Sequence, residues 1–96
     1  MKHYLAVLVP RPGGGWRAHF PDFPGCRAEG ESVEAAIDAA AASAAEHGRW
    51  LRAQGVSLPH PQTYDEVRHY SNGWAAERGI DWAHALASLV KLPLAG

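Results

Sequence analysis

Trp16-Arg17-Ala18-His19-Phe20-Pro21-Asp22-Phe23-Pro24-Gly25-Cys26 begins as a strand and ends as a turn. Its first five residues alternate large, polar, small, polar and large, as a strand with one buried face does. Pro21 and Pro24 lack an amide donor and Pro-Gly favours a tight turn, so strand pairing stops there. Asp22 is placed to cap that turn by accepting backbone amides, Gly25 to supply a positive φ, and Phe20 and Phe23 to pack inward. Upstream, Tyr4-Leu5-Ala6-Val7-Leu8-Val9 is an aliphatic, β-branched run that halts at Pro10, Pro12 and Gly13-Gly14-Gly15. A strand follows those glycines directly, whereas a phosphate-cradling loop needs a helix there, so they serve a hairpin. Cys26-Arg27-Ala28-Glu29-Gly30 completes a short third strand.

Ser32 stands at a helix-cap position, with Glu34 and Asp38 in the first turns to oppose the positive end of the helix dipole. The stretch from there to Gln54 is rich in alanine, has no proline and only Gly48 as a weak spot, and is closed by Gly55. Val33, Ile37, Ala40, Ala44 and Leu51 form one stripe, flanked by Ala36 and Trp50. The helix is expected to run about 33 Å, its alanine side permitting close approach to a sheet. Leu58-Pro59-His60-Pro61 is an extended exit. Residues 63–77 show no clean period and suggest a short helix near 65–70. Residues 83–94 fit helix and strand alike. A strand over 86–92 is preferred, because a lone hairpin sheet needs a further strand and Pro93 ends it.

The chain has 96 residues, 47% of them apolar, with 18 alanines diluting the larger side chains. That length buries roughly 60–65% of the unfolded surface and supports one modest core. A net charge of −1 removes the case for a general nucleic-acid binder. The longest uncharged apolar stretch, Ala39 to Ala45, is far short of the ~20 residues of a bilayer crossing, and the N-terminus lacks a signal-peptide shape. Cys26 is the single cysteine, so no internal disulfide forms. One small soluble cytoplasmic domain is expected. Its charge is unevenly spread: residues 19–46 hold Asp22, Glu29, Glu31, Glu34, Asp38 and Glu46 against Arg27 alone, leaving −5. Those carboxylates suit a solvated face, or a surface that meets a basic partner.

Catalytic patterns are sparse. The closest two of the six histidines are nine residues apart, so there is no local metal-binding pair. His69 with Asp65 at i, i+4 reads as a surface pair. Cys26 has His19 nearby across the turn, but a lone cysteine there reads as a small hydrophobe. Gly-x-Ser-x-Gly is absent. The acidic residues cluster at the turn and helix start rather than converging as a two-metal cage requires. No catalytic residue, metal or cofactor is expected.

Three pieces stand together: Gly15-Trp16; Phe20 to Cys26; and Gly30-Glu31-Ser32 opening an alanine-rich helix that leaves through Gly55-Val56-Ser57-Leu58-Pro59-His60-Pro61. This order resembles the HicB family of antitoxin-like proteins over roughly residues 2–61, while 62–96 match only in outline. The resemblance implies an α+β single domain, a partial ribonuclease-H-like β-β-β-α-β fold with a three- to four-stranded sheet on one long helix, lacking that fold's catalytic carboxylates. It further implies a non-enzymatic protein that neutralises a small HicA-like mRNA-cleaving toxin, whose fold is similar to a double-stranded-RNA-binding domain and whose catalytic residue is a histidine. Many members add a C-terminal DNA-binding module. Only Ala95 and Gly96 follow Leu94 here, so no separate DNA-binding domain and no direct DNA binding are expected. Trp16, Asp22, Phe23, Glu29 and Glu31 are the candidate partner contacts, and Phe20, Pro21, Pro24, Gly25 and Cys26 the structural motif. An exposed sheet edge on so small a domain favours self-association, at least as a dimer. A stand-alone self-associating regulator is the alternative reading, and a residual metal-dependent hydrolase a third.

Overall fold

The computed structural model describes residues 3–23, 25–70 and 73–92, so Pro24 of the turn and Pro93 after the last strand lie outside the described residues. Four strands make one antiparallel sheet in the order β3-β2-β1-β4. β1 (His3–Pro10) turns into β2 (Trp16–His19) through the glycines, all three at positive φ, with the Arg11 N–H donating to the Gly15 carbonyl at 3.0 Å. β3 (Arg27–Gly30) pairs with β2, setting Trp16 opposite Gly30 and His19 opposite Arg27. β4 (Leu86–Lys91) pairs with the other side of β1, and the strand preferred for 86–92 is thereby found. Central β1 is buried from Tyr4 to Leu8 without a break. Its sequence is continuously apolar because both faces of the sheet are covered at that strand.

α1 (Val33–Ala53) starts at Ser32, whose Oγ accepts from the Ala35 N–H at 3.1 Å. It ends at Gln54, followed by Gly55 at φ 75°. Its buried residues are Ala36, Ala40, Ala44, Ala45 and Gly48. The buried stripe is thus rotated from the expected one: Val33, Ile37 and Leu51 are half-buried and Trp50 is 57% exposed. The cause is the closeness of the approach. A Cβ on Gly30 would lie 2.4 Å from the Ala36 nitrogen and 2.6 Å from the Ala35 carbonyl carbon. Only small side chains fit beneath a helix held so near, and the volume is filled from the other side by Tyr4, Leu8, Phe20, Phe23, Val90 and Leu92.

Residues 64–85 add a layer that the β-β-β-α-β outline does not contain. α2 (Tyr64–Tyr70) is the short helix expected near 65–70. It is followed by α3 (Trp74–Glu77) and a single 3₁₀ turn, Trp82–His84. Val67 and Ile80 pack on Leu5 and Val7, with Trp74 and Trp82 partly buried beside them. Leu5 and Val7 alternate with Tyr4, Ala6 and Leu8, so this layer covers the sheet face opposite α1.

Candidate protein-binding surface

The turn after β2 is held by its own backbone. The Phe23 N–H donates to the Phe20 carbonyl at 3.1 Å and the Cys26 N–H to the Phe23 carbonyl at 2.9 Å, with Gly25 at φ 89° as expected. Phe20 and Phe23 are each 1% exposed, and Phe23 meets Tyr4 edge to face at 4.8 Å. Pro21 is buried as well. Among the described residues, Asp22 finds its partner outside its own turn. Its carboxylate accepts from the Gln62 backbone N–H at 3.2 Å and from the Gln62 side-chain amide at 3.1 Å. The Tyr4 hydroxyl donates to the Pro59 carbonyl at 3.0 Å. Asp22 and Tyr4 therefore tie the turn and the first strand to the exit from α1. Burial raises the Asp22 carboxyl pKa, and the hydrogen bonds from Gln62 oppose that shift.

The five candidate contacts do not share one surface. Asp22 is 8% exposed and Phe23 1%, so both act inside the fold. Glu29 sits with Arg17, whose Nε donates at 2.9 Å, and with Arg11 at 3.0 Å. The hydrogen bond from Arg17 leads in holding its carboxyl below the usual range. Trp16 and Glu31 are neighbours in the β2–β3 register: Trp16 is half-buried opposite Gly30, and Glu31 follows that glycine just ahead of the Ser32 cap of α1. With Asp22 buried and Glu29 between arginines, the remaining charge of the acidic segment lies on Glu31, Glu34, Asp38 and Glu46. All four are exposed. Glu34, Asp38 and Glu46 were outside the candidate set, although the charge partition of the sequence already held them. The opposite side of the molecule carries Arg17, Arg27 and Arg78 around His19.

His19 and Cys26 line one cavity of about 400 Å³ with Arg27, Glu77 and Arg78. Burial first, then Arg17, Arg78 and Arg27, hold the His19 imidazole down to about 4, so it is neutral at pH 7. Burial also pushes the Cys26 thiol up. The cavity thus holds a neutral imidazole and a neutral thiol whose own hydrogen-bond partner is Ser43, the reverse of an activated thiolate. Among the described residues, no three His, Cys, Asp or Glu side chains are grouped to hold a metal ion. No helix among them is long and apolar enough to cross a membrane.

No family model and no curated protein sequence matches the chain. Solved structures do. The antitoxin HicB of Burkholderia pseudomallei superimposes with a TM-score of 0.74 at 21% identity, over 98% of this chain and 65% of that one. This chain thus spans just under two thirds of that antitoxin. The isolated N-terminal domain of the same HicB gives 0.73 at 21% identity, over 98% of this chain and all of the domain. A HicA3 and HicB3 toxin-antitoxin complex gives 0.62 at 23% identity, over 96% of this chain and 99% of the matched chain. The four-stranded antiparallel sheet with one main helix is the fold of the HicB antitoxin N-terminal domain.

Proposed function

We propose that this chain is a non-enzymatic antitoxin that binds and neutralises a small HicA-like, mRNA-cleaving toxin. The observation that carries the reading is the shared fold over nearly the whole chain with HicB antitoxins, one of them in complex with HicA3. The charge distribution supports it. A protein that cleaves RNA presents a basic surface to phosphates. Glu31, Glu34, Asp38 and Glu46 offer the complementary sign along exposed positions of α1 and its start, with Trp16 beside them as an aromatic anchor. Asp22 and Phe23 act inside the fold, Asp22 by tying the turn to Gln62 and Phe23 by packing on Tyr4, and Glu29 engages arginines of its own chain. The neutral state of His19 and Cys26 favours binding over covalent chemistry.

The test is recovery of the tagged chain from its host under native conditions, with mass spectrometry of everything that copurifies and an RNA-cleavage assay on each component after denaturing separation. A small basic protein that cleaves RNA only once separated is the expected result. Recovery of this chain alone would overturn the toxin partner and favour the self-associating reading. That second reading has its own support: among the described residues, the outer edge of β4 has no neighbouring strand.

A further inference from the structure

The sheet face opposite α1 is only partly covered. Val67 and Ile80 lie over Leu5 and Val7, but His19 and Arg17, paired with Val7 and Val9, stand on that same face, as do their partners Arg27 and Glu29 on β3. Arg27 and Glu29 are exposed. Where these strands meet the end of α3, a cavity of about 400 Å³ opens between His19, Phe20, Arg27, Glu77 and Arg78. His19 is 5% exposed, so the cavity reaches into the fold. Arg78 is held in place: its Nη1 donates to the Trp74 carbonyl at 3.1 Å and its guanidinium lies 5.0 Å from the centre of the Trp74 ring. Its contact with Glu77 is long, 3.8 Å, and the Glu77 side chain is 74% exposed. Among the described residues Arg27 has no ion-pair partner, while Glu29 is taken by Arg11 and Arg17. Arg11, Arg17, Arg27 and Arg78 therefore share Glu29 and Glu77, which leaves a double positive charge unmatched.

We propose that this cavity binds a phosphoryl dianion, free or at the end of a small phosphomonoester, between Arg27 and Arg78 with His19 as a third contact. A dianion matches the unmatched charge, whereas a carboxylate would cancel half of it. Both cations are guanidiniums, planar forks that offer a phosphoryl group paired N–H donors. The neutral imidazole adds one N–H. Arg17, Arg78 and Arg27 all act against the charged form of His19, so the local potential is positive despite Glu77, and a bound dianion relieves it. The volume is near the lower end of ligand pockets and suits a sugar phosphate. A phosphodiester within an RNA chain carries one charge and a substituent on either side, so neither its charge nor its shape fits a recess lined by His19 and Phe20. The site lies across the sheet from the α1 carboxylates and does not rest on toxin binding.

Isothermal titration calorimetry of the full chain at low salt tests this with inorganic phosphate, ribose 5-phosphate and acetate. The proteins are wild type, Arg27→Gln, Glu77→Gln and, as a control on exposed α1, Arg49→Gln. The wild type is expected to bind both phosphates and to bind acetate at least tenfold more weakly. Arg27→Gln is expected to lose at least tenfold in phosphate affinity, Glu77→Gln to gain by removal of a like charge, and Arg49→Gln to match the wild type. Tighter binding of ribose 5-phosphate identifies a monoester ligand, and equal or weaker binding identifies free phosphate; both uphold the dianion. Acetate bound as tightly as phosphate, or an unchanged affinity in Arg27→Gln, overturns the site. Displacement of phosphate by an RNA oligomer without terminal phosphates overturns the small ligand. Should a variant fail to fold, NMR shifts of the wild type on phosphate titration decide: changes centred on His19, Arg27 and Arg78 are expected, and changes elsewhere or none overturn the proposal.

Discussion

α1 and the 64–85 layer cover opposite faces of the same sheet by opposite means. α1 is one continuous helix that approaches through Ala36, Ala40, Ala44, Ala45 and Gly48, and the large side chains come from the strands and the 20–26 turn. The other layer is three short elements that bring their own bulk, Val67, Ile80, Trp74 and Trp82. Arginines lie over its rings: Arg68 is 5.7 Å from the Trp82 centroid and Arg78 is 5.0 Å from that of Trp74. None of these short helices reaches the length at which a helix sustains itself, so burial and such ring contacts hold them. The Trp74 indole N–H is buried and has no hydrogen-bond partner among the described residues, which weakens the layer further. Close backbone approach gives the α1 face a continuous core, whereas the second face is a patch that opens at lower free energy.

That inequality can be broken on either side. Phe23→Ala empties a site 1% exposed on the α1 side and is expected to lower the unfolding free energy by about 3–5 kcal/mol in urea titrations. A loss below about 1 kcal/mol would mean that the α1 core is not the dominant one. Gly30→Ala forces a methyl against the Ala35 and Ala36 backbone, and we expect a cost of about 2–3 kcal/mol by thermal melting. An unchanged melting temperature would show that α1 does not need this approach.

His19 lies between the layers, its ring 6.1 Å from that of Trp74. Because its folded pKa is lowered to about 4, the unfolded chain binds a proton that the folded one refuses between pH 6.5 and 4. Stability is full above pH 6.5 and falls as pH drops through that window, by about 2 kcal/mol at its foot. Denaturation at pH 7 and 5 should show the slope, and His19→Gln should flatten it; an equal slope in both proteins would place the titration elsewhere. The smallest effect is expected at Trp74→Phe, about 1 kcal/mol or less, since removing the unpartnered N–H offsets the lost ring area. A cost equal to that of Phe23→Ala would make the two faces equivalent.

Much of this architecture is visible in the chain itself. Tyr4 to Val9 and Trp16 to Phe20 carry a strand pattern, Ser32 stands where a cap belongs, and Gly25 takes its positive φ. The buried face of α1 was not legible, because it depends on how near Gly30 lets the helix come, a tertiary fact. The second layer left one readable signal: Thr63 and Glu66 form a reciprocal capping box, each side chain accepting the other's backbone N–H at 3.1 and 3.0 Å. Beyond it, Val67, Trp74, Ile80 and Trp82 follow no single period, since they sit on three separate elements and the loops between them. The acidity of residues 19–46 was plain in the sequence, but its partition was not. Asp22 finds Gln62 forty residues away, and Glu29 meets Arg17 through the pairing of β2 with β3.

On the function proposed above, the carboxylates along α1 receive a basic toxin. The direct measurement titrates the RNA cleavage of the copurified toxin with wild-type chain and with Glu31→Lys/Glu34→Lys/Asp38→Lys, after both are shown to melt alike. The wild type is expected to halt cleavage near equimolar ratio, while the variant needs at least ten times as much and the difference narrows at high salt. Equal neutralisation by the two proteins would contradict it.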